Sequence, residues 1–359
     1  MSVAHDTNAE PKQLEILERL QSLCGENDLP DLEAKLADLA AFVGSDLAPI
    51  DEALRAVSGE RAAHQGAAHL LSLGGKRLRP ICVALAAKLG RGFDERALSL
   101  AVAVELVHAA TLLHDDVIDM ADTRRGKPTA RAIWGNSVSI YAGDWLLIEA
   151  LRRVSAVGIP DLLTTLFDVI DEMIVSESIQ LESRGKLDVD RDRWHRVAEG
   201  KTAALFRYGM RAGGRVAGLS DEEIAALEAY GSHLGFAFQA VDDVLDFGGD
   251  PERTGKALFT DLREGKATYP LILAVEREPS AAALLRELVD ASEEELAAGM
   301  GARYSEVLAL LERTQALEDA RAFAFEQADR AIAALGRWPK GPAIDALTTV
   351  ARAAVARRA

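Results

Sequence analysis

Apolar residues recur along most of this chain at intervals of three and four, the period of a helix that buries one face. From Asp31 onward Leu32, Leu36, Leu39 and Val43, followed by Leu47, Ile50 and Leu54, predict two short helices packed on a core. The longest apolar run, Ala97 to Leu113, carries only Glu105 and His108 as ionisable groups. It is too short and too polar to cross a bilayer comfortably, so it predicts a helix buried inside the protein. Further helices are predicted over about Ser137 to Arg153 and Leu162 to Glu182, with amphipathic ones at the periphery over Leu317 to Ala334 and Ala343 to Ala354. No run of Val, Ile, Thr and aromatic residues alternates with polar positions between glycine-rich turns, so no strands are predicted. The pattern is all-α: residues 1–30 form a polar leader with one amphipathic helix from Lys12 to Leu23, and residues 31–359 form one helical domain.

Composition narrows the function. At 359 residues and 49% hydrophobic content the chain can bury a sizeable core, and 5% aromatic content favours helices over strands. A formal charge of −16 argues against a nucleic-acid partner, because phosphate backbones are bound by basic surfaces. The two cysteines, Cys24 and Cys82, predict no disulfide framework and fit a reducing compartment. The N-terminus has acidic residues at Asp6, Glu10 and Glu15 and no basic region followed by an apolar core, so neither a secretory signal nor a transit peptide is indicated, and the cytoplasm is the expected location.

The candidate chemistry lies at the end of the longest apolar run. Asp115, Asp116 and Asp119 stand there, followed by Arg124 and Arg125. On a helix Asp115 and Asp119 are one turn apart on the same face, with Asp116 beside them. Like charges this close either share a proton or bind cations, and oxygen-only ligation completed by waters and substrate phosphates is how Mg²⁺ is usually held. A single Asp-rich helix end with basic residues after it is ordinarily a solvated surface. Here Asp242, Asp243 and Asp246 repeat the spacing after another apolar segment, Leu234 to Val241, and two such clusters can face each other across one cavity.

Gly74-Gly75-Lys76-Arg77-Leu78-Arg79-Pro80 follows a helical stretch ending near Leu73, with the glycines terminating it and Pro80 starting the next helix. The segment reads either as a cap followed by surface basic residues or as a cradle in which backbone amides, Lys76 and Arg79 hold a diphosphate. His108 lies two turns before Asp115 on the same helix face. Adjacent Arg124 and Arg125 point in different directions, so one can serve each of two diphosphates.

In this order these segments, with Arg124-Arg125-Gly126-Lys127-Pro128-Thr129, Gly143-Asp144, Lys201-Thr202, Phe238-Gln239, Gly255-Lys256 and Asp261 to Lys266, closely resemble the all-trans polyprenyl diphosphate synthases, from about Leu70 to Leu273. The resemblance implies a single large helical bundle of the isoprenoid synthase type with a central cavity, a homodimer, and a prenyltransferase that joins isopentenyl diphosphate head-to-tail to an allylic diphosphate. It implies about three Mg²⁺ held by Asp115, Asp119 and Asp242, bridging the allylic diphosphate as it leaves. Asp116, Asp243 and Asp246 support them. It assigns Lys76, Arg79, His108 and Arg125 to isopentenyl diphosphate, and Arg124, Lys201, Thr202, Gln239, Lys256 and Lys266 to the allylic substrate. Two positions depart from the family's usual residues: Arg131 where a histidine is common, and Ser176 where a glycine often precedes the glutamate, here Glu177, before Gln180. The terminal Arg357-Arg358 is expected to be a frayed tail rather than a part of the site.

Product length should be set below the first cluster. Thr111 is one turn before Asp115 and Ala110 is its neighbour, so these small side chains border the path of a growing tail. Short-chain relatives usually carry an aromatic floor at one of them. The expectation is a product beyond C20, with Val107, Leu106 and Ala103 lining a deeper tunnel, unless a residue such as Tyr141 supplies the floor and makes this a farnesyl or geranylgeranyl diphosphate synthase. A terpene cyclase is the other enzymatic reading, but its second metal motif typically mixes Asn, Ser or Thr with Glu, and it needs no segment for a second diphosphate. A non-catalytic subunit of a heteromeric synthase tends to lose aspartates, and none is missing here.

Overall fold

The computed structural model describes residues 30–248, 259–290 and 293–357, leaving the leader with its helix from Lys12 to Leu23, and Lys256, outside the described residues. The chain is helical almost throughout: α1 Pro30–Arg55, α2 Ala62–Ser72, α3 Leu78–Lys88, α4 Glu95–Ile118, α5 Ala130–Trp134, α6 Asn136–Val157, α7 Pro160–Ser183 and α8 Arg191–Ala198. A π-helical turn, Glu199–Ala203, joins α8 to α9, Ala204–Ala217, and α10, Asp221–Gly248, follows. The last elements are α11 Thr260–Arg263, α12 Tyr269–Arg277, α13 Ala281–Asp290, α14 Glu293–Arg313, α15 Ala316–Ala334 and α16 Pro342–Val355. The all-α expectation holds. So does the buried central helix: Asp94 caps α4 by accepting from the backbone of Arg96 and Ala97, and the helix runs between α3, α6 and α9. By length and composition α4 could span a membrane, but 67% of its most apolar window is buried inside the bundle.

Four expectations are corrected. The two short helices after Asp31 are one, α1, with Pro49 inside it. The apolar stripe from Leu36 through Leu54 is continuous and buried, and its packing outweighs the hydrogen bond a mid-helix proline removes. The absence of strands fails at one place, where Thr123–Arg124 and Lys127–Pro128 pair antiparallel around Arg125 and Gly126. Both turn residues have left-handed φ, 53° and 71°, as a two-residue hairpin loop requires. The C-terminal helices are not peripheral. Ala316, Ala320, Ala324, Ala328 and Ala331 form a fully buried stripe on α15, small enough to let α10 approach closely, and Tyr230 of α10 donates to the Leu347 carbonyl of α16. The fourth correction concerns the tail and belongs with the site.

Close helix approach also governs the middle of the bundle. A Cβ placed on Gly235 of α10 would lie 2.3 Å from the Cα of Ala203 in the π turn, with backbone rather than a flexible side chain in the way. Gly235→Ala is therefore expected to overpack this crossing and cost about 1–3 kcal/mol. Thermal unfolding checks it: a melting temperature equal to that of the parent chain would disprove the contact.

Candidate active site

Helix α4 delivers the first aspartate motif. Its last turn closes with the Asp119 N–H donating to the Asp115 carbonyl over 2.8 Å, which leaves the two carboxylates one turn apart as the spacing predicts. Their surroundings differ. Asp116 is buried, and its Oδ1 accepts from Arg124 Nε at 2.9 Å and Nη2 at 2.8 Å. Asp119 pairs with Arg184 of the segment after α7, 3.2 Å away. Burial pushes the Asp115 carboxyl up to about 6, assisted by Glu177 and Asp119 and opposed by Lys201 and Arg124.

The second motif sits on α10. Asp243 is buried without a cation: Oδ2 accepts from Trp194 Nε1 at 2.7 Å and the Tyr269 N–H at 2.9 Å, while Oδ1 accepts from Gln239 Nε2 at 2.9 Å. Burial drives its carboxyl up to about 7 against these donors. Asp246 accepts from the N–H of Thr260 at 3.0 Å, tying α10 to α11. Asp242 meets the tail. The expectation of fraying is wrong for Arg357, whose Nη1 lies 2.6 Å from Asp242 Oδ1 and whose guanidinium covers the Phe238 ring at 3.9 Å, leaving the side chain 6% exposed. A planar cation that can stack and pair at once outcompetes solvation there. Arg358 lies outside the described residues.

The basic segment forms a turn rather than a simple cap. Gly74 and Arg77 have left-handed φ, 74° and 50°, and Gly75 has φ 158°. Arg125 donates to the Gly74 carbonyl, and a Cβ on Gly75 would meet the Arg125 guanidinium at 3.2 Å. Arg79 lies over Phe206 at 4.7 Å with its Nε unpartnered among the described residues. Burial lowers the pKa of Arg79 and of Arg125, with Glu105 opposing in both cases. Burial and the charges of Arg79, Arg125, Arg124 and Arg77 push His108 well below its ordinary value, so it is a neutral imidazole.

Lys201 projects from the π turn, an insertion that often marks functional sites, and contacts Glu177 at 2.7 Å and Gln180 at 2.8 Å. Thr202 donates to Gln239 over 2.8 Å. Burial would lower the pKa of Lys266, but Asp261, Asp119 and Glu264 together raise it. Asp119 of the first motif acts electrostatically on Lys266, and Asp242 of the second on Arg79. Ala110 is buried where α4 meets α6, and Thr111 donates to the His108 carbonyl. Tyr141 is 63% exposed. Arg131 braces Asp122 and Asn136, at 2.8 and 3.1 Å.

Among the described residues no three His, Cys, Asp or Glu side chains converge tightly enough to hold an ion between them. The donors are nonetheless oxygen-only, and Oδ2 of Asp116 is buried without a partner among the described residues. That set fits a hard cation whose remaining ligands come from substrate and water. A cavity of about 700 Å³ lined by Leu32, Val241, Val244, Phe325 and Arg357 includes none of the six aspartates. Glu105, Asp51, Trp194 and Arg184 were given no role by the sequence pattern, and Arg357 was assigned to a frayed tail. Only Glu105, a lone carboxylate within an apolar run, carried a usable signal.

The polyprenyl synthetase family model matches residues 60–303. The octaprenyl diphosphate synthase of Escherichia coli is 37% identical over 292 residues, 80% of this chain and 88% of the relative. Component 2 of the heptaprenyl diphosphate synthase of Geobacillus stearothermophilus is 36% identical over 311 residues, 86% and 95% of the two chains. The polyprenyl synthase of Caulobacter crescentus, solved with calcium and isoprenyl diphosphate, superposes with a TM-score of 0.82 at 34% identity, covering 90% of this chain and 98% of that one. Helical architecture, paired aspartate motifs and sequence coverage agree, and the chain belongs to the polyprenyl synthetase family.

Proposed function

We propose that this enzyme extends an allylic prenyl diphosphate by successive head-to-tail additions of isopentenyl diphosphate, giving an all-trans product beyond C20. The observation that carries this reading is the presence of two cation sets beside two aspartate motifs. One is the turn bearing Lys76 and Arg79 with His108 and Arg125; the other comprises Arg124, Lys201 and Lys266 with Thr202 and Gln239. A cyclase or a phosphatase, acting on a single diphosphate, has no use for both. The small residues at Ala110 and Thr111 support the long product, as do the long-chain activities named for the two relatives.

In this reading Asp115, Asp119 and Asp242 would hold Mg²⁺, about three ions with substrate bound, which would supply positive charge to offset that developing on the departing diphosphate. Lys201, Lys266 and Arg124, with Lys256 from outside the described residues, grip the same leaving group. Asp116 orients Arg124 through two hydrogen bonds, and Asp243 fixes Gln239. Asp246 holds the α10 to α11 connection. Ionisation leaves an allylic cation. Isopentenyl diphosphate, anchored by Lys76, Arg79, His108 and Arg125, presents its double bond to that cation, and the lost proton goes to the released diphosphate. His108 is suited to donating one N–H to a diphosphate and, so surrounded by arginines, is a poor base. A homodimer in the cytoplasm completes the proposal; the heptaprenyl relative, named as a component, makes a heteromeric assembly the competing arrangement.

Labelled isopentenyl diphosphate should be incorporated in a Mg²⁺-dependent manner with geranyl, farnesyl or geranylgeranyl diphosphate as primer. Asp115→Ala should abolish this, and a parent chain no more active than that variant would defeat the assignment. Ala110→Phe should shorten the product to C20 or below; an unchanged ladder on sizing the dephosphorylated products would reject the tunnel. His108→Leu should raise the isopentenyl diphosphate KM by roughly 10–100-fold through loss of a hydrogen bond to a charged group, whereas His108→Gln, a neutral donor, should stay within a few-fold. Equal effects of the two replacements would argue against a donating role.

A further inference from the structure

Three charged groups lie buried behind the basic turn, away from any assigned substrate contact. Arg77, on left-handed backbone between Lys76 and Leu78, places Nη1 2.5 Å from Glu105 Oε1 of α4, Nε 3.3 Å from Asp51 Oδ1 of α1, and Nη2 3.3 Å from the Leu71 carbonyl of α2. All three side chains of the ion-pair set are about nine-tenths buried. Burial would lower the pKa of Arg77, yet Glu105 and Asp51 together raise it, so the guanidinium is firmly charged and satisfied within the protein. It has little capacity left to bind a ligand. Arg79, two residues on, by contrast retains an Nε without a hydrogen-bond partner among the described residues.

Glu105 acts more widely. It is the leading charge raising the pKa of Arg79 and of Arg125 against burial, and it stands three residues before His108 on α4. Four arginines, 77, 79, 124 and 125, bear on His108. Without an anion near them their mutual repulsion would open the turn before substrate arrived. The left-handed conformation at Arg77 carries an intrinsic cost for a non-glycine residue, which the surrounding contacts must offset.

We propose that Glu105, with Asp51 reinforcing it, is a positioning residue for the isopentenyl diphosphate half-site: it locks Arg77 and thereby the turn that aims Lys76 and Arg79 at one diphosphate. This rests on the assignment of Lys76, Arg79, His108 and Arg125 to that substrate. The ion pair holds the backbone from Gly74 to Leu78 against α1 and α4, so the half-site is preorganised while the allylic half, built on Arg124 of the hairpin, the π turn, α10 and Lys266 after α11, does not depend on it.

Steady-state kinetics with each substrate varied separately test the proposal. Glu105→Gln should raise the KM for isopentenyl diphosphate by roughly tenfold or more while the allylic KM stays within about twofold, because misplacement is confined to one half-site. Glu105→Asp should recover part of the loss, since charge rather than shape is required. If Glu105→Gln does not fold, Asp51→Asn is read in the same way and should raise the same KM by about threefold, its contact being longer and shared. Arg79→Met serves as the reference. A raised isopentenyl diphosphate KM in Arg79→Met with no change in Glu105→Gln would overturn the positioning role and keep the half-site. A proportional rise of both KM values in Glu105→Gln would overturn it in favour of general structural damage. No KM change in Arg79→Met would show instead that the half-site itself is misassigned.

Discussion

Taking carboxylates out of water is the constraint on which the rest of this structure depends. An ionised aspartate in a low-dielectric interior must be paired, hydrogen-bonded or driven toward its neutral form, and the six aspartates of the two motifs meet all three fates. Asp116, Asp119 and Asp242 are matched by Arg124, Arg184 and Arg357. Asp243 and Asp246 are held by neutral donors, and Asp115 is pushed up to about 6. The arginines come from a hairpin, an inter-helix segment and the C-terminus, so separate parts of the chain are drawn to one place by the same electrostatic demand.

Such a concentration of charge needs a tight frame, and small residues supply it. Gly235 against Ala203, the alanine stripe of α15 against α10, and Gly143 against the Ala110 carbonyl let helices cross at distances larger side chains forbid. Ser176, standing where glycine is more usual, illustrates the same economy: a Cβ on Gly200 would lie 2.8 Å from its Cβ, so the glycine at the π turn accommodates the serine on α7. The crossing of α7 with the π turn is where Lys201 finds Glu177 and Gln180. Packing and site geometry are therefore one problem here, not two.

Helical periodicity made most of the fold legible, because a 3.6-residue stripe survives in any single sequence. It misjudged α1, dividing into two short helices what one continuous buried apolar face holds together. It missed the hairpin because two residues of left-handed backbone at Arg125 and Gly126, not strand propensity, create that ladder. The aspartates and the basic turn were readable as motifs, since spacing and charge are local. Arg357 was not: its partner lies 115 residues away in sequence, and a terminal arginine carries no sign of the ring and carboxylate it will find. The role of Trp194 was hidden for the same reason, its indole N–H serving an aspartate on a different helix.

The doublet at the head of each motif has a geometric meaning that spacing alone leaves open. Adjacent residues on a helix point about 100° apart, so when Asp115 and Asp242 face the shared space, Asp116 and Asp243 must turn into protein. They are the more deeply buried member of each pair, at 1% and 3% exposure, and each is fully engaged on the oxygen that holds it. Asp116 spends its contact on an arginine that reaches the site, and Asp243 on a tryptophan, a glutamine and a backbone amide that join α8, α10 and α12. The same dipeptide thus leaves one carboxylate less buried and uses the other to fix the surroundings. In the first motif that fixed element is charged, a hairpin arginine; in the second it is neutral and embedded in the bundle. The asymmetry fits a site that must grip a leaving group on one wall and hold rigid on the other.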